Sequence, residues 1–329
     1  MRIAMVHDIA GVAAVQVKLL RGAGHEVDQV ALPAFGASWR WPVKAFALPF
    51  RFAAYMPAVM RLRRGRYDIL HIHFLSQGVV GVLSGRPFVA QAHGSDLHLN
   101  LTRSVYRPVT RTVLDKARAV FYVTPNLPAF LKGYEKKLVY LPNPLDVPQS
   151  ARSAAAPAQV RTVVIFMRLH PVKGVDRIFP AVERLRELVE VTAIESGPLA
   201  AEYLARYGRW VKFIEPVPHS NIWEVLAAFD VVIGQMRQGV LGLMEIEAMA
   251  AGRPVIAAVD SALYPDDPPP VVAASGPDEI VAAVLKLRDD PGELARLARL
   301  GREWVERNHG FAHHLELLES TYKTAIASP

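Results

Sequence analysis

The sequence predicts an α/β fold of two similar domains, each a parallel sheet with helices between its strands. Two observations predict it. Short apolar runs of strand length alternate with helical stretches along the whole chain, which is the pattern of βαβ units. The chain of 329 residues is also interrupted near its middle by Ser150-Ala151-Arg152-Ser153-Ala154-Ala155-Ala156-Pro157-Ala158-Gln159. That small-residue stretch with a single proline reads as a linker, and the length itself favours two domains.

In chain order, strands are expected at 3–7, 26–31, 69–73, 88–92, 119–123 and 138–141 of the first half. In the second half they are expected at 162–166, 191–194, 211–214, 231–234 and 254–259. Helical patterns fill the gaps, among them 175–188, 222–229, 243–251 and 277–287. Gly24 and Gly252 stop helices just before strands. The proline-rich stretch 264–270 reads as a surface loop. The tail from 293 to 325 is amphipathic and helical, with a break near Asn308-His309-Gly310. The domains are therefore expected at 1–148 and 160–309, with a last helix, 310–329, packing back on the first.

Composition is that of an ordinary globular protein, 51% apolar and 21% charged. No cysteine is present, which excludes disulfides, thiolate nucleophiles and cysteine-ligated zinc or iron–sulfur centres and fits a reducing compartment. Met1-Arg2-Ile3-Ala4-Met5-Val6 runs straight into a strand, without the pattern of a signal peptide. No apolar run reaches the length of a membrane span. The nearest, 45–60, is broken by Pro49, Arg51 and Pro57. The expected location is the cytoplasm, with peripheral attachment to the inner face of the cell membrane as an option. The net charge of +7 is uneven: residues 1–150 hold 19 Lys/Arg against 8 Asp/Glu, the remainder 19 against 23. A basic half suits an anionic partner, and it equally suits an uneven solvated surface.

Open parallel sheets bind ligands beyond the carboxyl ends of their strands. In the second half, Ile165-Phe166-Met167-Arg168-Leu169-His170-Pro171-Val172-Lys173-Gly174 carries two permanent cations between a buried strand and a helix. Cations beside a helix N-terminus suit a diphosphate, although cations in loops are more often solvated. Pro180, near that helix start, either removes one early hydrogen bond or moves the start later. Further on, Gly239-Val240-Leu241-Gly242-Leu243-Met244-Glu245-Ile246-Glu247 leads from a glycine loop into a short helix. Its first N–H groups can bind phosphate oxygens, and Glu247 can accept hydrogen bonds from ribose hydroxyls. Alternatively, Glu245 and Glu247 complement the helix dipole.

These two blocks, with Gly197-Pro198-Leu199, Val217-Pro218-His219 and Pro142-Asn143-Pro144-Leu145-Asp146, resemble the retaining glycosyltransferases of family 4. The resemblance covers nearly the whole chain. It implies the GT-B fold, two facing Rossmann-like domains with the active site in the cleft between them. It implies that Arg168 and Lys173 neutralise the donor diphosphate as it leaves, that Gly242 and Leu243 offer it backbone N–H groups, and that Glu247 binds ribose. In two places the chain departs from the family. The glutamate expected eight residues before Glu247 is Gly239, beside Gln238, so the sugar is gripped differently, or Glu245 or Gln238 substitutes, or activity is reduced. Met167 replaces a glycine ahead of Arg168.

In the first half, Gly11 lies in the loop after the first strand and matches the family's glycine loop near the donor phosphate. Gln91-Ala92-His93-Gly94-Ser95-Asp96 resembles the family's His-Gly-[Ser/Thr]-Asp turn, which makes His93 the active-site choice there, positioning the sugar. His71 and His73 share one strand face. With His93 they allow a zinc reading, but no His-Glu-x-x-His spacing supports it, and packing or cleft-lining roles are preferred. The segment 39–66 interleaves Trp39, Trp41, Phe46, Phe50 and Tyr55 with Arg40, Lys44, Arg61, Arg63, Arg64 and Arg66. That mixture, to which Phe52 and Arg51 also belong, suits an anionic membrane interface, or core aromatics with solvated arginines. No nucleic-acid module is recognised.

The function implied is transfer of a sugar from a nucleotide-diphosphate sugar to an acceptor hydroxyl of a glycolipid or polysaccharide precursor. Retention of configuration is expected, and neither metal nor other cofactor. The alternatives are a degenerate, non-catalytic sugar-nucleotide or glycolipid-binding protein and a non-hydrolysing sugar-nucleotide epimerase of the same two-domain plan.

Overall fold

A computed structural model describes residues 1–9, 11–33, 48–94, 96–97 and 106–327. They divide into two compact units, Met1–Pro144 with the C-terminal segment from Phe311, and Leu145–Gly310. The division thus falls earlier than the expected linker, whose residues belong to the second unit. Part of that linker, Gln149–Arg152, is a short helix.

The first unit holds strands β1 (Arg2–Val6), β2 (Glu26–Val30), β3 (Ile69–His73), β4 (Phe88–Ala92), β5 (Ala119–Tyr122) and β6 (Leu138–Tyr140). They form a parallel sheet in the order β2-β1-β3-β4-β5-β6. Helices α1 (Val12–Gly22), α2 (Leu48–Arg64), α3 (Val79–Ser84) and α4 (Arg107–Lys116) connect them. Every residue of β3 and β4 is buried, as expected for parallel strands covered on both faces. Alternate residues feed two cores. Ala4, Val6, Leu70, Ile72 and Ala90 pack with Tyr55, Val59, Val113 and Leu114 of α2 and α4. Ile3, Met5, Ile69, Val89 and Phe121 pack with Val17 and Leu20 of α1 and with Leu318 and Tyr322 of the C-terminal helix.

The second unit repeats the plan with β7 (Thr162–Ile165), β8 (Glu190–Ile194), β9 (Lys212–Ile214), β10 (Val231–Ile233), β11 (Val255–Ala257) and β12 (Val272–Ala273). Their parallel order is β12-β11-β10-β7-β8-β9. The helices are α5 (Gln149–Arg152), α6 (Val175–Leu185), α7 (Ala200–Tyr207), α8 (Ile222–Ala227), α9 (Leu243–Ala250), α10 (Pro277–Asp289) and α11 (Pro291–His309). The C-terminal helix of the first unit, Phe311–Ala327, is α12. Helix α6 buries Val175, Ile178, Phe179, Val182 and Leu185, a stripe at helical period. It starts at Val175 with Pro180 inside, so the proline removes one hydrogen bond, the one to Asp176, without delaying the start.

In each sheet the first strand lies between two neighbours reached in opposite directions. The strand order therefore reverses between β1 and β3 in the first unit and between β7 and β10 in the second. Ligand crevices open beyond the carboxyl ends of the strands at such points. In this chain those positions hold His7, Asp8, Gly11 and Phe74, and residues 168–173 and 235–242.

Candidate functional site

In the second unit, β7 runs into the loop that carries both cations. His170 Nδ1 accepts the Val172 N–H at 3.2 Å and caps a single 3₁₀ turn, Pro171–Lys173. Gly174 then enters α6 with φ +73°. A Cβ there would lie 3.0 Å from the Met236 carbonyl carbon, so both the left-handed backbone and the close approach require glycine. The Met236 N–H donates to the Lys173 carbonyl at 2.8 Å, and Arg177 Nη1 donates to the Met236 carbonyl at 3.0 Å. The two loops at the strand reversal are thereby fastened together. Arg168 is exposed, and with Lys173 it lines a cavity of about 340 Å³, whose walls include Phe166, Ile194, Val217, Ile222 and Met244.

The second loop ends at Gly242, the N-cap of α9. Glu245, buried to 1% exposure, accepts the Gln235 N–H on Oε1 and the Gly242 N–H on Oε2, both at 2.8 Å. The Gly242 N–H, expected from the sequence to face a phosphate, is thus taken by the helix's own third residue, as in a capping box. The Leu243 and Met244 N–H groups remain as first-turn donors. Gly242 contributes clearance instead, since a Cβ would stand 2.9 Å from Glu245 Oε2 and 3.4 Å from Lys173 Nζ. Glu247 is equally buried. Its Oε1 lies 2.7 Å from Nε2 of the exposed His219, and its Oε2 has no partner. Burial pushes the Glu247 carboxyl above its ordinary range, against the pull of His219.

In the first unit, the chain leaves β1 through His7, a non-glycine residue at φ +65° and therefore strained. Asp8 Oδ1 accepts the Ala13 N–H at 2.9 Å. Gly11 opens α1 at φ +78° with open space where a side chain would stand. Beyond β4, the buried Asp96 accepts N–H groups from His93 at 3.0 Å and Leu75 at 2.9 Å, tying the ends of β3 and β4 together. Burial raises its carboxyl to about 6, although these donors pull it down.

His93 Nε2 lies 3.0 Å from His73 Nδ1. Burial pushes His93 down to about 4 and His73 well below its usual range, so at neutral pH both rings are uncharged. His71 stacks on His73 at 4.7 Å, but its Nδ1 meets the Tyr322 hydroxyl of α12 at 2.6 Å. The stacked rings, both fully buried, send their nitrogens to different partners, which suits a packing role. Among the described residues no group of three His, Cys, Asp or Glu is placed to hold a metal.

Comparison with known proteins decides the family. The profile of Glycosyltransferase Family 4 matches residues 12–149, and that of Glycosyl transferases group 1 matches residues 160–290. The chain is a glycosyltransferase of the family 4 type, with one domain of each model. It is 26% identical to the D-inositol 3-phosphate glycosyltransferase of Corynebacterium glutamicum over 341 residues, covering 85% of this chain and 78% of that protein. It is 26% identical to the 2-deoxystreptamine glucosyltransferase of Streptomyces kanamyceticus, covering 83% and 82%. Among solved structures it resembles sucrose-phosphate synthase from Thermosynechococcus elongatus, at a TM-score of 0.75 and 18% identity over 100% of both chains. Anabaena HepE in complex with UDP and glucose gives a TM-score of 0.72 at 17% identity, over 98% of this chain and 99% of that one. These likenesses show the fold: two Rossmann-like domains, as in GT-B glycosyltransferases.

Within this glycosyltransferase the second unit brings Arg168, Lys173, Gly242 and Leu243 to one strand reversal, with Glu247 one turn into α9. The first unit places Gly11 and His93 at the ends of β1 and β4. The roles of two further residues are not legible in the sequence. Gln235, fully buried, donates from Nε2 to the Val240 and Ala258 carbonyls and accepts the Arg237 and Gln238 N–H groups. The one available signal was a polar residue two places beyond a buried strand at the sheet's reversal. His219 stands in the sequence within Val217-Pro218-His219, where nothing marks its bond to Glu247. The aromatic and basic segment 39–66 lies partly outside the described residues. Its described part, α2, exposes Phe50 and Met56 at 61% and 44%.

Proposed function

We propose that the protein transfers a hexosyl group from a nucleotide-diphosphate sugar to an acceptor hydroxyl, with retention of configuration and without a metal. The observation that carries this reading is the cavity of the second unit, where Arg168 and Lys173 stand beside the first turn of α9. Two fixed cations and helix N–H groups supply the positive charge that a departing diphosphate needs. Glu247, with an unpartnered buried oxygen beside His219, is suited to ribose hydroxyls.

In the reaction the acceptor oxygen attacks the anomeric carbon as the bond from that carbon to the diphosphate oxygen breaks. The acceptor's proton passes to that departing oxygen on the same face. Arg168 and Lys173 neutralise the charge that grows there, and Leu243 donates its N–H. His93, uncharged at neutral pH, accepts or donates a hydrogen bond to the sugar and so positions it. Gly11 leaves room for the phosphate end.

The acceptor in this reading is a glycan or a lipid-linked glycan precursor. For a lipid-linked one, α2 supplies exposed Phe50 and Met56 with Arg61, Arg63 and Arg64 in its last turn, a surface suited to anionic membranes. A cytoplasmic protein attached peripherally would bind anionic vesicles at low salt and leave them at high salt.

The test is a panel of nucleotide sugars with glycolipid and polysaccharide acceptors, following nucleoside diphosphate release and product configuration by NMR. Release with a product of the donor's own configuration is expected. An inverted product contradicts retention. One observation favours a second reading, a non-catalytic binding protein: residue 239 carries no carboxylate. Nucleotide binding without release on any donor and acceptor would establish that reading instead.

A further inference from the structure

Lys173 is held by a neutral group. Its ammonium donates to Gln238 Oε1 at 3.0 Å. A carboxylate there would pair with the ammonium and cancel much of its charge, whereas an amide fixes its position and leaves the charge intact. Among the described residues no carboxylate pairs directly with this ammonium, although Glu245, whose Oε2 faces the same space at Gly242, keeps its charge nearby. Glu245 takes the backbone N–H groups of Gln235 and Gly242, Glu247 takes His219, and Asp176 pairs with Arg237 at 2.6 Å.

Gln238 is also a built position. The Gln235 side chain uses both N–H bonds on the Val240 and Ala258 carbonyls, at 2.9 and 2.7 Å. Its oxygen accepts the Arg237 and Gln238 N–H groups, at 2.9 and 2.5 Å. The capacity of that buried amide is thereby filled. Gly239 follows at φ +71°, turning the chain immediately after Gln238.

From this we propose that Gln238 is a specificity-determining residue: it holds Lys173 at the cavity without a directly paired carboxylate, so that the site selects ligands by their diphosphate charge. The inference rests on the diphosphate reading of the same site. It is tested on the full chain by calorimetric titration with UDP, ADP and GDP in turn, and with the nucleoside matching whichever binds. The variants are Gln238→Glu, Gln238→Met and Lys173→Ala.

Gln238→Glu is expected to weaken the diphosphate by about tenfold or more, with nucleoside affinity unchanged. Part of that loss returns when the pH is lowered far enough to protonate the new carboxyl. Gln238→Met, which frees the lysine without neutralising it, is expected to lose less. If Lys173→Ala weakens the diphosphate while Gln238→Glu does not, the inference about Gln238 fails alone. An equal loss for nucleoside and diphosphate in Gln238→Glu also overturns it, since a structural role moves both. If Lys173→Ala binds like the parent, or no diphosphate binds the parent, the diphosphate reading falls and this inference with it.

Discussion

Glu245 and Glu247 stand two positions apart on α9, and both are buried, but their surroundings assign them different tasks. Glu245 spends both oxygens on backbone N–H groups of its own unit. Glu245→Gln turns an amide N–H toward one of those donors, so a loss of about 2 kcal/mol of stability is expected in chemical denaturation. Glu247→Gln keeps a partner for His219 and removes a carboxylate that burial already disfavours. It is expected to leave stability within about 0.5 kcal/mol while raising the KM for the nucleotide sugar. Gln235→Glu sets a carboxylate against the Val240 and Ala258 carbonyls and is expected to cost roughly 3 kcal/mol or more. None of this is visible in composition or spacing, because the partners, backbone groups for Glu245 and Gln235 and the His219 ring for Glu247, meet only once the chain has folded.

At the scale of elements, the turn between β7 and α6 depends on Gly174. Gly174→Ala must hold φ +73° and bring a Cβ to 3.0 Å from Met236, so a loss of about 2–3 kcal/mol is expected. Gly239→Ala meets only Asp260, at 3.4 Å, and is expected to cost about 1 kcal/mol, from backbone strain. A thermal melt of the two variants distinguishes them, and equal losses would show that Met236 yields to the new methyl.

Most elements were legible in the sequence because β3, β4, β7 and β10 are short, continuous apolar runs and α6 has a clear helical stripe. Two were not. Helix α5 lies in an alanine-rich stretch with no apolar period to mark it. Strand β12 has two residues, too few for any period. The cation loop was legible as residue types, but its fastening to the β10–α9 loop was not, since that runs through the main chain of Met236. The use of the Gly242 N–H was not legible either, since a glutamate in the first helical turn suits the dipole as well as a capping bond.

At the scale of the whole molecule, the last helix, α12, completes the first unit. Tyr322 lies wholly buried against His71, and His314 bridges Gln16 and the Pro142 carbonyl. Tyr322→Phe strands the His71 nitrogen and is expected to cost about 1–2 kcal/mol, read by denaturation.

Acid should weaken this unit. His71 is pushed down to about 3, His93 to about 4, and His73 well below 6.5. The unfolded chain therefore takes up these protons first. The stability they contribute is complete above pH 6.5 and is lost as pH falls toward 4 and below. Asp96, raised to about 6, acts in the opposite sense: its contribution is complete near pH 4 and lost as pH rises through 6. With His7, also lowered by burial, four histidines oppose one aspartate, so a net fall is expected between pH 6.5 and 4, at about 1.4 kcal/mol per pH unit for each unbalanced proton. Denaturation at pH 7.5 and 5.0 checks the sign.

The claim on which the functional account turns is that Lys173 and Arg168 carry the charge of a departing diphosphate. The most direct measurement is the kcat/KM of Lys173→Ala with the nucleotide sugar the parent uses, taken together with its melting temperature. The account predicts a loss of about a hundredfold or more at an unchanged melting temperature. Parent-like turnover in a fully folded variant would contradict it.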